Sequence, residues 1–178
     1  TVAHEHLFTN GFCEGSECTE YEAATLVTSE NFSDLGLDES YIDYYAVSNG
    51  GQLYWFAQLV NGTSESVEQN KNANGVLLAD IVVNKNVLTK SGDLNSNYSE
   101  FRVWDPIGNY SDYYNRYYGF FDGRNHTVSG LYINDGTKSN IGLFGHISKG
   151  TVKNIGVIDS YFYGKSYVGA IAGQYDDH

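Results

Sequence analysis

A short sequence unit occurs twice between residues 119 and 173, and this internal repeat constrains the fold more than any other feature. The segment TVSGL at residues 127–131 is answered 24 positions later by TVKNI. The segment IGLFG at residues 141–145 is answered 27 positions later by VGAIAG. Repeats of about 20–30 residues that combine short apolar strands with Gly and Asn turns are typical of β-solenoids. The sequence therefore predicts an all-β chain wound as a parallel β-helix.

An amphipathic helix is predicted over about residues 49–60. Its apolar residues recur with the spacing of one helical face. These residues are Leu53, Phe56, Ala57 and Val60. Asn49 and Gln52 are spaced as a capping box, and Gly62 provides a stop after Asn61. We expect this helix to cover the open end of the first coil.

The chain divides into two regions by composition. Residues 1–43 form a polar N-terminal head and lead-in, and residues 44–178 form the β-helix with its capping helix. The first residue is Thr1 and the chain contains no Met, which predicts a processed mature chain or an excised segment.

Charge and hydropathy exclude two classes of partner. Ten Lys and Arg residues stand against 22 Asp and Glu residues, for a net charge of −12. Nucleic acids and anionic membrane surfaces require a basic footprint, so neither is an expected partner. No apolar run approaches the ~20 residues needed to cross a bilayer, so membrane insertion is not expected.

The repeat region resembles the GLUG-type repeats of bacterial cell-surface proteins. The resemblance is strongest for residues 119–131, 141–145 and 150–157, whereas the second copy at residues 168–173 departs from the pattern. It extends over roughly residues 44–173. The resemblance implies a right-handed β-helix, a secreted or surface-anchored bacterial protein, and an adhesin-like use. It carries no catalytic residues.

His4, His6, Cys13 and Cys18 form the one cluster that suggests a metal. Two His and two Cys side chains can close a tetrahedral zinc site. Their spacing, H-x-H-x6-C-x4-C, lacks the closely paired Cys-x2-Cys of typical zinc sites. A Cys13–Cys18 disulfide is favoured over a structural zinc ion, because an even number of Cys suits an exported chain. Two free thiols are the third alternative.

Aromatic residues mark a candidate contact surface. Exposed rings stack on sugar faces or pack on partner proteins. The candidates are Trp104, Tyr110, Tyr113, Tyr114, Tyr117 and Tyr118. The alternative is a loop folded over the core with its rings half-buried.

If this chain is an enzyme, carboxylates are its candidate catalytic groups, as in β-helical enzymes that act on polysaccharides. The candidate residues are Asp105, Asp122, Asp135 and Asp159, with Arg124, Lys153 and His126 as partners. Asp122 and Asp135 lie beside Gly residues, where Asp is favoured for turn hydrogen bonds alone. Structural roles in turns are therefore favoured over catalysis, and we expect a protein that is not an enzyme and binds no cofactor.

The sequence predicts a non-catalytic extracellular module of the bacterial surface, used for adhesion, display or spacing. Its expected partner is a host or matrix glycan or protein. One alternative is a subunit of an extracellular fibre, in which identical subunits join by strand addition or coil stacking. The other alternative is an enzyme that acts on polysaccharides.

Overall fold

The computed structural model describes residues 6–14, 18–38, 40–109 and 115–177. Short strands and two helices make up the N-terminal part of the chain. They are β1 (Phe8–Thr9), β2 (Phe12–Cys13), β3 (Thr25–Val27), α1 (Phe32–Leu35), β4 (Tyr44–Val47), α2 (Gly50–Asn61), β5 (Gly75–Leu77) and β6 (Ile81–Val82). Single 3-10 turns lie at Ser29–Asn31 and Tyr98–Glu100.

Strands alone make up the C-terminal part. They are β7 (Phe120–Ser129), β8 (Tyr132–Asn134), β9 (Ser139–Ile141), β10 (Phe144–Ser148), β11 (Thr151–Ile158), β12 (Tyr161–Tyr163), β13 (Ser166–Val168) and β14 (Ala172–Asp176). Gly and Asn residues at the turns allow the chain to change direction between them; Gly130, for example, has a φ of 79° and lies against the backbone of Asn84.

The largest sheet has the order β11-β7-β5-β4-β3, with β6 also paired to β7. Its neighbours are parallel except β3 and β4, which run antiparallel. The hairpin of β1 and β2 is also antiparallel. Three further two-stranded sheets, β12-β8, β13-β9 and β10-β14, are parallel.

The two copies of the repeat lie on each other as paired strands. Ile141 pairs with Val168, which is the 27-residue offset that the sequence predicts. Thr127, however, pairs with Gly156, and Thr151 pairs with Phe120. The 24-residue match between the two Thr-Val segments is therefore not the structural register. A bulge between Lys153 and Ile155 shifts the pairing of β11 with β7 along its length.

The expectation of an all-β, right-handed parallel β-helix is wrong for this chain. The described residues form a mixed structure, with two helices and several small separate sheets of two to six strands. The repeat accounts for the strand pairing between its two copies, but it does not account for the structure of the rest of the chain. Upstream of residue 119 the core contains α2 and irregular segments as well as β4 and β5, and two strand pairs are antiparallel.

Helix α2 occupies the predicted position and organises the core. Asn49 caps it by accepting a hydrogen bond from the Gln52 amide at 2.9 Å. Gly62 ends it in the left-handed conformation. The apolar face packs against the sheet, and the rings of Phe56 and Phe121 meet edge-on with centroids 5.4 Å apart. Among the described residues, no helix is long and apolar enough to cross a membrane.

Candidate functional surface

Strands β11, β12, β13 and β14 form one layer, residues 151–176, which we call the terminal layer. Within the described chain, each of these strands is hydrogen-bonded along one edge only, to β7, β8, β9 and β10 respectively. Their other edges have no strand beside them. Unpaired strand edges present backbone donors and acceptors to any strand that approaches.

Burial separates the terminal layer from the layer beneath it. Ile141 on β9 is 1% exposed, whereas Val168, its partner on β13, is 45% exposed. All five residues of β10 are buried, whereas β14 is only partly covered. Equivalent positions in the two copies differ in burial because, among the described residues, no further segment packs on the second copy.

Large side chains contribute much of this exposed surface. They are Ile158, Tyr163, Tyr167, Val168 and Tyr175. Isolated exposed apolar residues are ordinary on proteins, but a group on one layer marks a site of interaction. The terminal layer is therefore the candidate functional surface of this chain.

The terminal layer is nearly neutral in a strongly acidic protein. It and the following residue hold two lysines and three aspartates, against a net charge of −12 for the whole chain. Lys153 Nζ lies 3.6 Å from Asp122 Oδ2 and above the Phe120 ring. Asp159 accepts a hydrogen bond from the Leu88 amide at 2.8 Å. Self-repulsion between two copies is consequently weak at this surface.

A polar cluster fastens the end of the terminal layer to β10. Ser148 Oγ donates to Asp176 Oδ1 at 2.5 Å, and Arg116 Nη1 lies 3.5 Å from Asp176 Oδ2. Hydrogen bonding from Ser148, followed by the hydrogen bond and charge of His146, lowers the pKa of Asp176 although partial burial opposes this. Asp176 is thus ionised at neutral pH and holds β14 in place.

The predicted metal cluster contains a disulfide. Cys13 and Cys18 are joined, so their sulfur atoms are not available as thiolate ligands in this form. His6 Nδ1 lies 3.4 Å from Cys13 Sγ and 3.3 Å from Cys18 Sγ. His6 Nε2 lies 3.5 Å from a Glu20 carboxylate oxygen. His4 lies outside the described residues.

The six rings of the predicted contact surface do not share one location. Trp104 is 1% exposed and Tyr117 is fully buried, so these two belong to the core. Trp104 donates its indole N–H to the carbonyl oxygens of Gly142 and Leu143. Tyr118 is 37% exposed. The remaining rings, Tyr110, Tyr113 and Tyr114, lie outside the described residues.

Two of the candidate catalytic carboxylates accept a hydrogen bond from the amide two residues further along the chain: Asp122 within β7 and Asp135 directly after β8. Asp135 accepts hydrogen bonds from both the backbone and the side chain of Thr137. These bonds lower the pKa of Asp135. Asp122 accepts from the Arg124 amide at 2.8 Å and from the Asn154 side chain at 3.1 Å. Both carboxylates make the local bonds for which Asp is favoured in turns.

The other candidates also hold neighbouring segments together. Asp105 accepts from the side chains of Asn61 and Asn109, and Asp159 accepts from the backbone of residues 87 and 88. His126 Nδ1 lies 3.3 Å from Asp80 Oδ1 rather than beside a candidate catalytic carboxylate. Each of these contacts connects two segments of the fold.

Sequence reasoning missed the terminal layer as a surface. The two copies of the repeat carry similar apolar patterns, so the pattern predicts the same environment for both. Two paired strands of similar sequence can differ in burial when other segments pack on one of them and not on the other. The motif itself does not indicate which strand is covered. The exposed Tyr167 and Val168 were therefore not recognisable from the pattern alone.

Comparison of the chain with protein-family models, with curated proteins and with solved structures finds no significant match. The surfaces described above are therefore the features of this chain that indicate a function. Among these surfaces, the terminal layer combines open strand edges, exposed apolar side chains and low net charge.

Proposed function

We propose that this chain is a non-catalytic extracellular module that assembles with identical copies through its terminal layer. The observation that carries the proposal is the exposure of Val168 at a position where its paired residue, Ile141, is buried. Complete burial of a fully exposed side chain of this size yields about 1.5–3 kcal/mol, and because Val168 is 45% exposed, covering it yields roughly half of that. Assembled copies would display their loops at the bacterial surface, which is also the role that the GLUG-type resemblance favours.

Symmetry favours pairing of two terminal layers. Two copies that meet through the same surface are related by a two-fold axis, and such an interface closes at a dimer. Edge strands of the two copies would then pair antiparallel, supplying partners for the open backbone groups of β11. The near-neutral charge of the layer supports this approach between two acidic molecules.

The disulfide supports an extracellular location. Disulfides persist in oxidising compartments and are rare in the cytosol. Cys18 is joined to Cys13, the last residue of β2, in a part of the chain with few core residues. The structural contacts of Asp105, Asp122, Asp135 and Asp159 support the non-catalytic part of the proposal.

A second candidate function is a subunit of an extracellular fibre. The observation that favours it is a second open edge in the six-stranded sheet, at β3, opposite β11. Leu26 on β3 is exposed. Head-to-tail pairing of β11 with β3 of the next copy does not close, and contacts of that kind generate filaments.

Sedimentation velocity over a range of concentrations tests the proposal. The natural chain is expected to form dimers as its concentration rises. Val168→Lys is expected to keep the chain monomeric, because it places a charge in the centre of the interface. Val103→Lys is the matched control, since Val103 is 59% exposed and lies outside the terminal layer.

A chain that remains monomeric at every concentration would overturn the proposal, as would equal loss of association in the two variants. Electron microscopy separates the second candidate from the first. Regular filaments that Leu26→Lys abolishes would establish open assembly, whereas discrete pairs would establish the closed dimer.

A further inference from the structure

A groove runs along the outer side of α2, on a part of the chain remote in sequence from the terminal layer. It consists of two cavities of about 460 and 570 Å³ that meet at Trp55. The residues that precede β3 and the end of β4 contribute one wall. The loop at residues 63–70 contributes the other. A groove of this length suits an extended chain better than a compact small molecule.

Aromatic rings line both halves of the groove. Trp55 is half-buried and packs against Tyr45, with ring centroids 5.4 Å apart and planes tilted by 52°. Tyr21 lines the first half. Trp55 therefore has a fixed position and an accessible part. A rigid indole at a surface is a favoured platform for cations, and arginine is its most frequent partner.

The charge of the groove has one sign. Glu20 and Glu65 line the first half, and Glu68 lines the second. All three are exposed. Among the described lining residues there is no Lys, Arg or His. Two groups that can carry positive charge lie beside the lining residues: His6 Nε2 is 3.5 Å from a Glu20 carboxylate oxygen, and Lys71 follows Asn70 in the sequence. The groove thus attracts positive charge, and the net charge of −12 adds to that attraction.

We propose that the Trp55 groove binds an extended, arginine- and lysine-rich segment of a partner protein. A guanidinium over the Trp55 indole forms a cation–π contact, and the flanking basic side chains pair with Glu65 and Glu68. Polar side chains of Gln58 and Asn70 are placed to bond with the peptide backbone. This binding is independent of assembly through the terminal layer.

Charge complementarity decides between a peptide and a glycan. A neutral oligosaccharide also stacks on an indole, and its hydroxyls can donate to carboxylates, but it leaves the like charges of the three carboxylates uncompensated. A basic segment neutralises these carboxylates and at the same time covers the aromatic surface. Binding of this kind weakens as salt is added, because the groove is open to solvent.

Tryptophan fluorescence provides the test. The chain has two Trp residues, and Trp104 is buried with its N–H bonded to backbone carbonyls. A ligand-induced change in emission therefore reports on Trp55. Titration with a short arginine-rich peptide is expected to give a saturable change that salt suppresses. A peptide of equal length without charge, an acidic peptide and a neutral oligosaccharide are expected to give none.

Two variants locate the site, with calorimetry as the measurement. Glu65→Gln with Glu68→Gln is expected to weaken binding of the basic peptide by about tenfold. Glu30→Gln with Glu100→Gln is the matched control, because it removes the same charge at exposed positions outside the groove. Trp55→Leu tests the indole separately, and its folding is checked by circular dichroism.

Failure of the basic peptide to bind would overturn the proposal. Equal weakening in the two double variants would also overturn it, since binding would then follow net charge alone. A saturable response to the neutral oligosaccharide, unaffected by salt, would replace the peptide with a glycan as the ligand. None of these outcomes bears on association through the terminal layer, which sedimentation measures separately.

Discussion

His146 Nε2 and Asp176 Oδ2 lie 2.5 Å apart and join β10 to the last strand of the chain. His146 is buried, and Asp176 also accepts a hydrogen bond from Ser148. The low pKa of Asp176 in the folded protein means that its ionised form stabilises the fold. This contribution is present above the unfolded-state pKa of about 3.9 and is lost as the pH falls through the folded-state value.

Asp176→Asn is therefore expected to lower the free energy of unfolding at neutral pH by about 1 kcal/mol. It is also expected to flatten the dependence of stability on pH below about pH 4. Urea unfolding at a series of pH values measures both effects. Asp177→Asn removes the same charge from the next residue and is the control. An equal change of slope in the two variants would contradict this role for Asp176.

Tyr117 makes a buried hydrogen bond, whereas the adjacent Tyr118 is exposed. Its hydroxyl donates to the Ala73 carbonyl at 2.9 Å, and burial raises its pKa well above the usual value, so it remains a neutral donor. Tyr117→Phe leaves the Ala73 carbonyl without this donor and is expected to cost about 1–3 kcal/mol. Tyr118→Phe, at an exposed position, is expected to change the free energy of unfolding by less than about 0.5 kcal/mol. Chemical denaturation measures both, and equal costs would contradict the assignment of Tyr117 to the core.

Local signals in the sequence predict local structure well. The spacing of Leu53, Phe56, Ala57 and Val60 locates α2, and all four side chains are buried. The apolar motif at Ile141 finds its partner Val168 at the predicted offset. These features depend on residues close in sequence or on one repeated motif, so the pattern contains the information.

The global arrangement depends on information that no motif carries. The Thr-Val segments look equivalent, but β11 pairs with β7 at an offset of 31 residues before the bulge and 29 residues after it, so Thr127 pairs with Gly156. Trp104 and Tyr117 are predicted to lie at the surface because Tyr-rich segments are often exposed and Trp104 is near one in the sequence. Both rings pack in the core, where backbone carbonyls distant in sequence accept hydrogen bonds from their polar atoms, and only the folded chain brings these groups together.

The cap of α2 links the helix to the N-terminal head. Asn49 Oδ1 accepts from the Gln52 amide, and Asn49 Nδ2 donates to Glu22 Oε2 at 2.9 Å. Asn49→Ala removes both bonds and is expected to lower the free energy of unfolding by about 1–2 kcal/mol. Asn49→Ser retains a capping oxygen and is expected to lose less. Thermal and urea unfolding measure the series; a larger loss for Ser than for Ala would contradict the capping role.

The disulfide stabilises a head that is already bound to α2. The Gly51 amide donates to the Asn10 carbonyl at 2.9 Å, and the Glu22 amide donates to the Gly11 carbonyl at 2.8 Å. Replacing both Cys13 and Cys18 by Ala is expected to cost about 2 kcal/mol through loss of a short closed loop. The rest of the fold should persist, with proteolysis confined to the head. Cooperative loss of the whole fold at 25 °C would contradict this division.

Zinc uptake by this cluster should depend on reduction of the disulfide. The ligand atoms of His6, Cys13 and Cys18 lie within 4.8 Å of one another, but the two sulfur atoms bond to each other in the oxidised chain. The oxidised chain is expected to take up no zinc in equilibrium dialysis, because neither thiolate is present. The reduced chain is expected to bind zinc, and His6→Ala should weaken this binding since it removes one of three ligands. Stoichiometric zinc on the oxidised chain would show that the ion is held by other residues, and the disulfide would then have no part in metal binding.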